Sequence, residues 1–343
     1  MKIFGGFQDN AATYYRVTAP LSVVRYRTTH TVQVGNLTPD LADNWDVLWL
    51  HQYADPTTEL IVHEFAQQGG RVVYDVDDWL FGLPGSWPCY DRYFLRGAGQ
   101  PRDRLLFHER IVRRANVITC PTAYLARMLE EHLELGQGTV QVLPNCVVMG
   151  DWDVVPATAH DLEGPVLGWF GTENHWDDWA EIVPAVNEAL RAVDGHLALI
   201  GAPEVITLFP DELAARTRVH PLVRMRDFGQ IRELIKSFDV GLAWCTNVTQ
   251  ASRCRSPLKA IQYGAAGVPV VASQTVYEAL DDFVGHMAVD TNQLTEHLIE
   301  ALTESQDPGS ATQEHAQEWQ ANAWGAHSYE IQAMRWLKVL GCS

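Results

Sequence analysis

"RCRSPLKAIQYGAAGVPVVAS", residues 253–273, reads as a helix followed at once by a strand. Ser256 offers an N-cap oxygen, and Pro257 suits the first helical position, where its missing N–H costs nothing. Gly267 closes the helix, and the apolar run 268–272 continues as a buried strand. Ser256, Lys259 and Gln262 recur at threefold spacing with Tyr263 beside them, which sets them on one face. Leu258, Ile261 and Ala265 then face the sheet. A helix N-terminus carries free N–H groups and partial positive charge. Arg253 and Arg255 precede it and Lys259 lies one turn in. Cap, dipole and three cations thus converge on one spot, as a diphosphate requires. Gln262, a turn deeper, is placed for hydroxyl groups attached beyond the phosphates. A solvated surface helix is the alternative. It leaves Ala260, Gly264, Ala265 and Ala266 unexplained, since small residues admit close approach of a ligand or the neighbouring strand.

Outward from this stretch, short apolar runs alternate with helical patterns. "KIFGG", "DVLWLHQY" (46–53), "RVVYDVDD", "NVITC" and "TVQVLPNCV" read as strands in the first half. "PVLGWFGT", "HLALIGAP" and "DVGLAW" do so in the second, each followed by a helical segment. Strand–helix alternation predicts an α/β chain with two Rossmann-like, doubly wound parallel-sheet domains facing across a cleft. The polar, aperiodic stretch 150–164 suits a linker. It sets the expected boundaries at 1–155 for the first domain and 160–325 for the second. Residues 326–343 form a C-terminal helix free to cross back to the first domain, with an apolar stripe at Ile331, Met334, Leu337 and Leu340. "ESQDPGSATQEHAQEW", just before it, reads as a polar, mobile connector.

The 343 residues exceed the size at which a single core stops growing, which agrees with two domains. Hydrophobic content of 47% and charged content of 20% describe an ordinary globular chain. The formal charge of −18, from 25 Lys+Arg against 43 Asp+Glu, disfavours broad binding to nucleic acid or anionic membranes. Cys89, Cys120, Cys146, Cys245, Cys254 and Cys342 lack paired metal spacing and read as reduced thiols. The N-terminus is a strand and turn, and no stretch has the apolar length of a membrane span. The expectation is a soluble, cytoplasmic protein.

Residues 256–273 resemble the nucleotide-sugar motif of GT-B glycosyltransferases, especially the retaining family 4 type, written S-P-L-K-x-x-E-Y-x-A-x-G-x-P-V-V-A-S. The match is nearly complete, but Gln262 stands where the family usually has Glu. Cys254 stands where it has another acid. By resemblance Lys259, Arg253 and Arg255 stabilise the leaving diphosphate, while Ser256, Pro257 and Gln262 contact the donor, Gln262 at the ribose hydroxyls. "VLGWFGTENHWDDW" (166–179) is similar to the strand and turn that open the family's second domain, G-W-x-G-T/S-x-x-H-x-x-D. It implies donor phosphates against the N–H groups of Gly171 and Thr172. His175 contacts the donor or, equally, fixes its own turn. "RRANVITCPTAYLARML" and "VLPNCVVMGDWD" resemble two further segments, the second placing Asn145 in the interdomain cleft.

In the first half, "VVYDVDDWLF" resembles a Y-D-x-D-D motif of some of these enzymes. Asp75 and Asp77 also spell an Asp-x-Asp metal motif, a reading that twin α/β halves disfavour. Asp77 and Asp78, at a parallel strand's end, project into the cleft or cap the next helical turn. Residues 5–21 resemble the loop near the acceptor, in which Gly5 and Gly6 allow close backbone approach. Tyr15 and Arg16 there stack on a sugar or meet a phosphate. His51 ends its strand at the same crevice, as a site residue or a structural one. The resemblance implies transfer from a nucleotide-diphosphate sugar, as co-substrate with no cofactor and no metal, to an acceptor glycan, small molecule, protein or modified DNA base. Retention follows from the family's front-face route, in which the departing phosphate oxygen takes the acceptor's proton. Other readings are a nucleotide-sugar epimerase, a degenerate non-catalytic glycan- or nucleotide-binding protein, and a phage-type DNA-base glycosyltransferase. The last would use a basic stripe of Arg16, Arg25, Arg27, Arg110, Arg113 and Arg114. Oligomeric state is not readable from these residues.

Overall fold

The structure is a computed structural model describing residues 1–8, 10–39, 41, 44–87, 90, 102–153, 162–221, 228–246, 249–274 and 280–341. Twelve strands are described: β1 (Lys2–Gly6), β2 (Thr31–Gly35), β3 (Val47–His51), β4 (Arg71–Asp75), β5 (Val117–Cys120), β6 (Val140–Val142), β7 (Val166–Phe170), β8 (His196–Ile200), β9 (Thr217–His220), β10 (Val240–Ala243), β11 (Val270–Ser273) and β12 (His286–Ala288). They form two six-stranded sheets, ordered β2-β1-β3-β4-β5-β6 and β12-β11-β10-β7-β8-β9. Every pairing is parallel. The inner strands are apolar on both faces because helices cover both faces of a parallel sheet; β3, "VLWLH", is buried at every position. The order in which strands are added switches sides between β1 and β3 in the first sheet and between β7 and β10 in the second. Such switch points open a crevice beyond the carboxyl ends of the strands.

Helix Leu258–Ala266 ends on Gly267, whose φ of 73° is the left-handed cap that a side chain resists. Its start differs from the sequence expectation. Pro257, not Ser256, occupies the cap position, and no side chain bonds the first amides. Tyr263 does not share the polar face either. It is fully buried, its hydroxyl donating to Gly168 and Leu242 carbonyls at 3.2 Å. A Cβ on Gly241 would stand 2.5 Å from its ring, so β10 needs glycine there. Nor do the helix's small residues admit a ligand or a strand. They admit helix Ala311–Ala326: Trp319 Nε1 donates to Ala260 O at 2.8 Å, and a Cβ on Gly264 would lie 2.5 Å from that indole.

That helix replaces the connector expected at 304–319, with Ser310 capping it at Gln313 N. The following helix, Tyr329–Leu340, crosses back and packs on the first sheet. Its buried face is Tyr329, Ala333, Trp336, Leu337 and Leu340, while Ile331 and Met334 are exposed. The expected stripe was rotated because Trp336, stacked on Trp49 at 5.1 Å and 17°, sets the orientation. The linker expected at 150–164 begins with a short helix, Gly150–Asp153, and its residues 154–161 lie outside the described set. Cys120, Cys146, Cys245 and Cys254 are free and buried, with thiols pushed up to about 12 by burial; Cys89 and Cys342 are not among the described residues. No helix among the described residues is long and apolar enough to cross a membrane.

Candidate functional site

Both crevices open onto one cavity of about 260 Å³, which the ends of β7 and β10 and the start of helix Leu258–Ala266 line from one side. Ala11, Ala12, Tyr15, Arg16, Asp77, Asp78, Trp87 and Asn145 line it from the other. The amides of Leu258, Lys259 and Ala260 have no carbonyl four residues back within their helix, so its positive end faces this space.

Beside that end four side chains interlock. Arg255 Nη1 donates to Asp178 Oδ2 at 2.6 Å and Nη2 to Asn174 O at 2.5 Å. Lys259 Nζ lies 2.6 Å from His175 Nε2. His175 Nδ1 lies 2.5 Å from Asp178 Oδ2 and 2.7 Å from Arg255 Nη1, so the ring is held between the carboxylate, the guanidinium and Lys259. Burial, then Arg255 and Lys259, hold the imidazole down to about 3, so it is neutral. Burial, then Arg255, lower Lys259 to about 7. Burial alone would raise Asp178, but Arg255 and His175 hold its carboxyl far below the usual range. Asp178 also accepts Thr246 N–H at 2.8 Å. One carboxylate thus neutralises Arg255, while Lys259 is left as a cation that a second negative charge would stabilise.

Facing this group, Asp78 is raised to about 6 by burial and then by Asp77. Asp77 itself is held down: burial would raise it, but His51 Nε2 stands 2.8 Å from Oδ1 and outweighs burial. Arg16 grips Asp75 with two parallel bonds, at 2.8 and 2.6 Å, and donates from Nη1 to Leu143 O and Asn145 Oδ1. Asn145 then donates from Nδ2 to Ser256 Oγ at 2.7 Å, which leaves the Ser256 proton for another acceptor. Gln262 bonds Tyr15 OH through Nε2; its buried Oε1 has no partner among the described residues.

No protein-family model matches the chain, and no curated protein matches it. Solved structures do. An alpha-glucosyltransferase in complex with UDP-glucose and DNA containing an abasic site matches with a TM-score of 0.67 at 12% identity, over 99% of this chain and 98% of that one. Anabaena Alr3699/HepE in complex with UDP and glucose matches with 0.67 at 12%, over all of both chains. UDP-GlcNAc 2-epimerase from Neisseria meningitidis matches with 0.54 at 12%, again over both whole chains. The fold is GT-B.

The GT-B cleft gathers twelve of the residues singled out in the sequence: Tyr15, Arg16, Asp77, Asp78, Asn145, Gly171, Thr172, His175, Arg255, Ser256, Lys259 and Gln262. Five others lie elsewhere. Arg253 is exposed, with its guanidinium 4.8 Å above the Tyr124 ring, because the turn before the helix swings alternate arginines apart. Pro257 caps its helix without lining the cavity. His51 is buried behind Asp77, which it positions, with Nδ1 3.2 Å from Thr13 Oγ1. Gly5 and Gly6 serve internal packing: a Cβ would meet Leu21 and Val17 at one, Leu50 and Tyr53 at the other. Two of the twelve do different work from that expected. The Gly171 N–H is taken by Ile200 O at 3.0 Å, and Arg16 is wholly consumed by Asp75 and its neighbours. Asp75 is in turn saturated by Arg16 and Thr119, so it is not placed as half of an Asp-x-Asp metal site.

Of the basic stripe, Arg16 is interior and Arg25 and Arg27 are exposed, while Arg110, Arg113 and Arg114 are exposed but paired, with Glu59, Glu109 and Glu59 respectively. Sequence reasoning missed Asp178, although the His175-x-x-Asp178 spacing was visible. It also missed Trp87, which lies outside every motif. The Trp87 ring lies 4.4 Å under Arg255, and its indole N–H donates to Asp177 across the cleft at 3.1 Å. Arg232, Asp151 and Tyr14 form a further clasp, Arg232 Nη2 donating to Asp151 at 2.6 Å and to Tyr14 OH at 3.0 Å.

Proposed function

We propose that the chain is a glycosyltransferase that moves a sugar from a nucleoside diphosphate sugar to an acceptor hydroxyl, with retention and without a metal ion. The observation that carries this reading is the positive helix end of Leu258–Ala266 with Arg255, Lys259 and Ser256 around it, at the sheet's topological switch. The C1–O bond to the diphosphate breaks and C1–O to the acceptor forms on the same face. The acceptor proton passes to the departing phosphate oxygen. Charge growing on that oxygen is met by Lys259, the Arg255 guanidinium, the Ser256 hydroxyl and the free helix amides. Removing one such partner from a developing anion costs on the order of 10²–10³ in rate. The Gln262 Oε1 accepts a hydroxyl of the ribose, filling the buried acceptor that lacks a partner.

The acceptor enters over Ala11, Ala12, Asp77 and Asp78, and Asp78 meets its hydroxyl. A hydroxylated base in DNA is one acceptor class to try, because one structural neighbour is an alpha-glucosyltransferase solved with DNA. Glycans, small molecules and proteins complete the panel, and the setting is soluble and cytoplasmic. The test is a thermal-shift panel of UDP, GDP, ADP, CDP and TDP and their sugars, on wild type and Lys259→Ala. A ligand that binds only the native state raises the melting temperature. A shift for one nucleotide, lost in the variant, supports the donor site and names the base. Equal shifts in both proteins, or none for any ligand, would overturn it.

A further inference from the structure

Three side chains cluster at the outer edge of the second sheet, at the end opposite the cleft. His286 is the first residue of edge strand β12, and His297 and Glu300 lie one turn apart on helix Thr291–Glu304. Their ligand atoms all lie within 4.8 Å of one another. His286 Nδ1 and His297 Nδ1 each stand 3.6 Å from the same oxygen, Glu300 Oε2. At 3.6 Å neither contact is a hydrogen bond. That separation is close to the edge of a coordination tetrahedron, since ligand bonds of about 2.0–2.1 Å place neighbouring donors roughly 3.3–3.4 Å apart.

The surrounding hydrogen bonds fix what these atoms offer. Glu304 Oε2 accepts the Thr312 hydroxyl proton at 2.8 Å. The Thr312 oxygen therefore accepts from His286 Nε2–H, at 3.3 Å. His286 Nδ1 is then an unprotonated lone pair directed at a carboxylate oxygen. His297 Nδ1 is buried and has no hydrogen-bond partner among the described residues. A buried, unpartnered imidazole nitrogen beside a second imidazole and a carboxylate is a donor set suited to a cation. The Glu304–Thr312–His286 chain is the outer-shell support that orients ligating imidazoles.

We infer that His286, His297 and Glu300 bind a first-row divalent metal ion of the zinc type. Two imidazoles select against calcium and magnesium, which take oxygen. Glu300 is half exposed, so water completes the coordination. The bound ion fastens the edge strand to helix Thr291–Glu304 and, through Thr312, to helix Ala311–Ala326. It stands apart from the donor site and does not depend on the proposed activity.

The full-length chain is stripped with EDTA, dialysed and titrated with ZnCl₂, then with CoCl₂, and bound metal is counted by mass spectrometry. Wild type is expected to take up one equivalent, to show the visible bands of low-coordinate cobalt, and to gain several degrees in Tm with ZnCl₂. Glu300→Gln and His297→Ala are each expected to weaken uptake by about 100-fold and to abolish the Tm gain. If His297→Ala fails to fold, Glu300→Gln, at a half-exposed position, decides alone. Uptake unchanged by both substitutions belongs to other histidines and overturns the site. No uptake by wild type at micromolar ZnCl₂ overturns it too, leaving only histidines paired with Glu300.

Discussion

Lys259 shows how burial makes a charge conditional. At about 7 its ammonium is half deprotonated near neutrality, and a diphosphate beside it would raise that value. Binding should therefore take up protons above pH 7. Nucleotide affinity should fall as pH rises from 7 to 9, and the calorimetric heat should vary with the buffer's ionisation enthalpy. Lys259→Arg, charged throughout this range, should flatten both dependences. Asp78 works in the opposite sense on turnover. It is protonated below about 6 and then no longer orients the acceptor hydroxyl as a carboxylate, so kcat should fall as pH drops through 6 and should lose that limb in Asp78→Asn. Arg16 looked like a ligand residue because its interior partners are remote in sequence: Asp75 is 59 residues away and Asn145 is 129. Breaking that pair from one side leaves a buried charge. Asp75→Asn should cost about 3–5 kcal/mol in urea unfolding.

At the scale of elements, the inner strands and the Leu258–Ala266 helix were legible because their signals are local, whereas the edge strands β2, β9 and β12, only partly buried, were not read. Continuous apolar runs mark parallel strands buried on both faces, and Gly267 marks a left-handed stop. Helix Ala311–Ala326 was illegible because it buries a narrow face, chiefly Ala316, Trp319 and Ala323, while the rest of its surface is polar. Its apolar content is too sparse to give a clear period. The small residues of the preceding motif are its docking surface. Gly264→Val should thus act as an overpacking mutation, costing about 1–3 kcal/mol by chemical denaturation and leaving the cavity residues in place. Helix Tyr329–Leu340 taught the complementary lesson. Its apolar residues were counted correctly, but Trp336 outweighs Ile331 and Met334 because an indole buries far more area.

Polar contacts close the cleft: Asn145 to Ser256, Tyr15 to Gln262, Trp87 to Asp177, and the Arg232–Asp151–Tyr14 clasp. With these closed, the cavity of about 260 Å³ falls just below the usual size of ligand pockets, roughly 300–1,000 Å³. If the proposed donor enters here, opening of the clasp should ease its entry and exit. Arg232→Ala should raise the dissociation rate of the bound nucleotide roughly tenfold in stopped-flow measurements.

By itself the sequence determined the twin α/β architecture and the helix that presents Lys259 and Gln262. These follow from periodicity, caps and turns, which act over a few residues. Only the tertiary structure decided which charges remain for a ligand. Arg16 is consumed by Asp75, Arg253 turns outward, and Arg255 is balanced by an aspartate 77 residues distant. Electrostatics depends on distance through space and on burial. Neither is written in the spacing of residues along a chain.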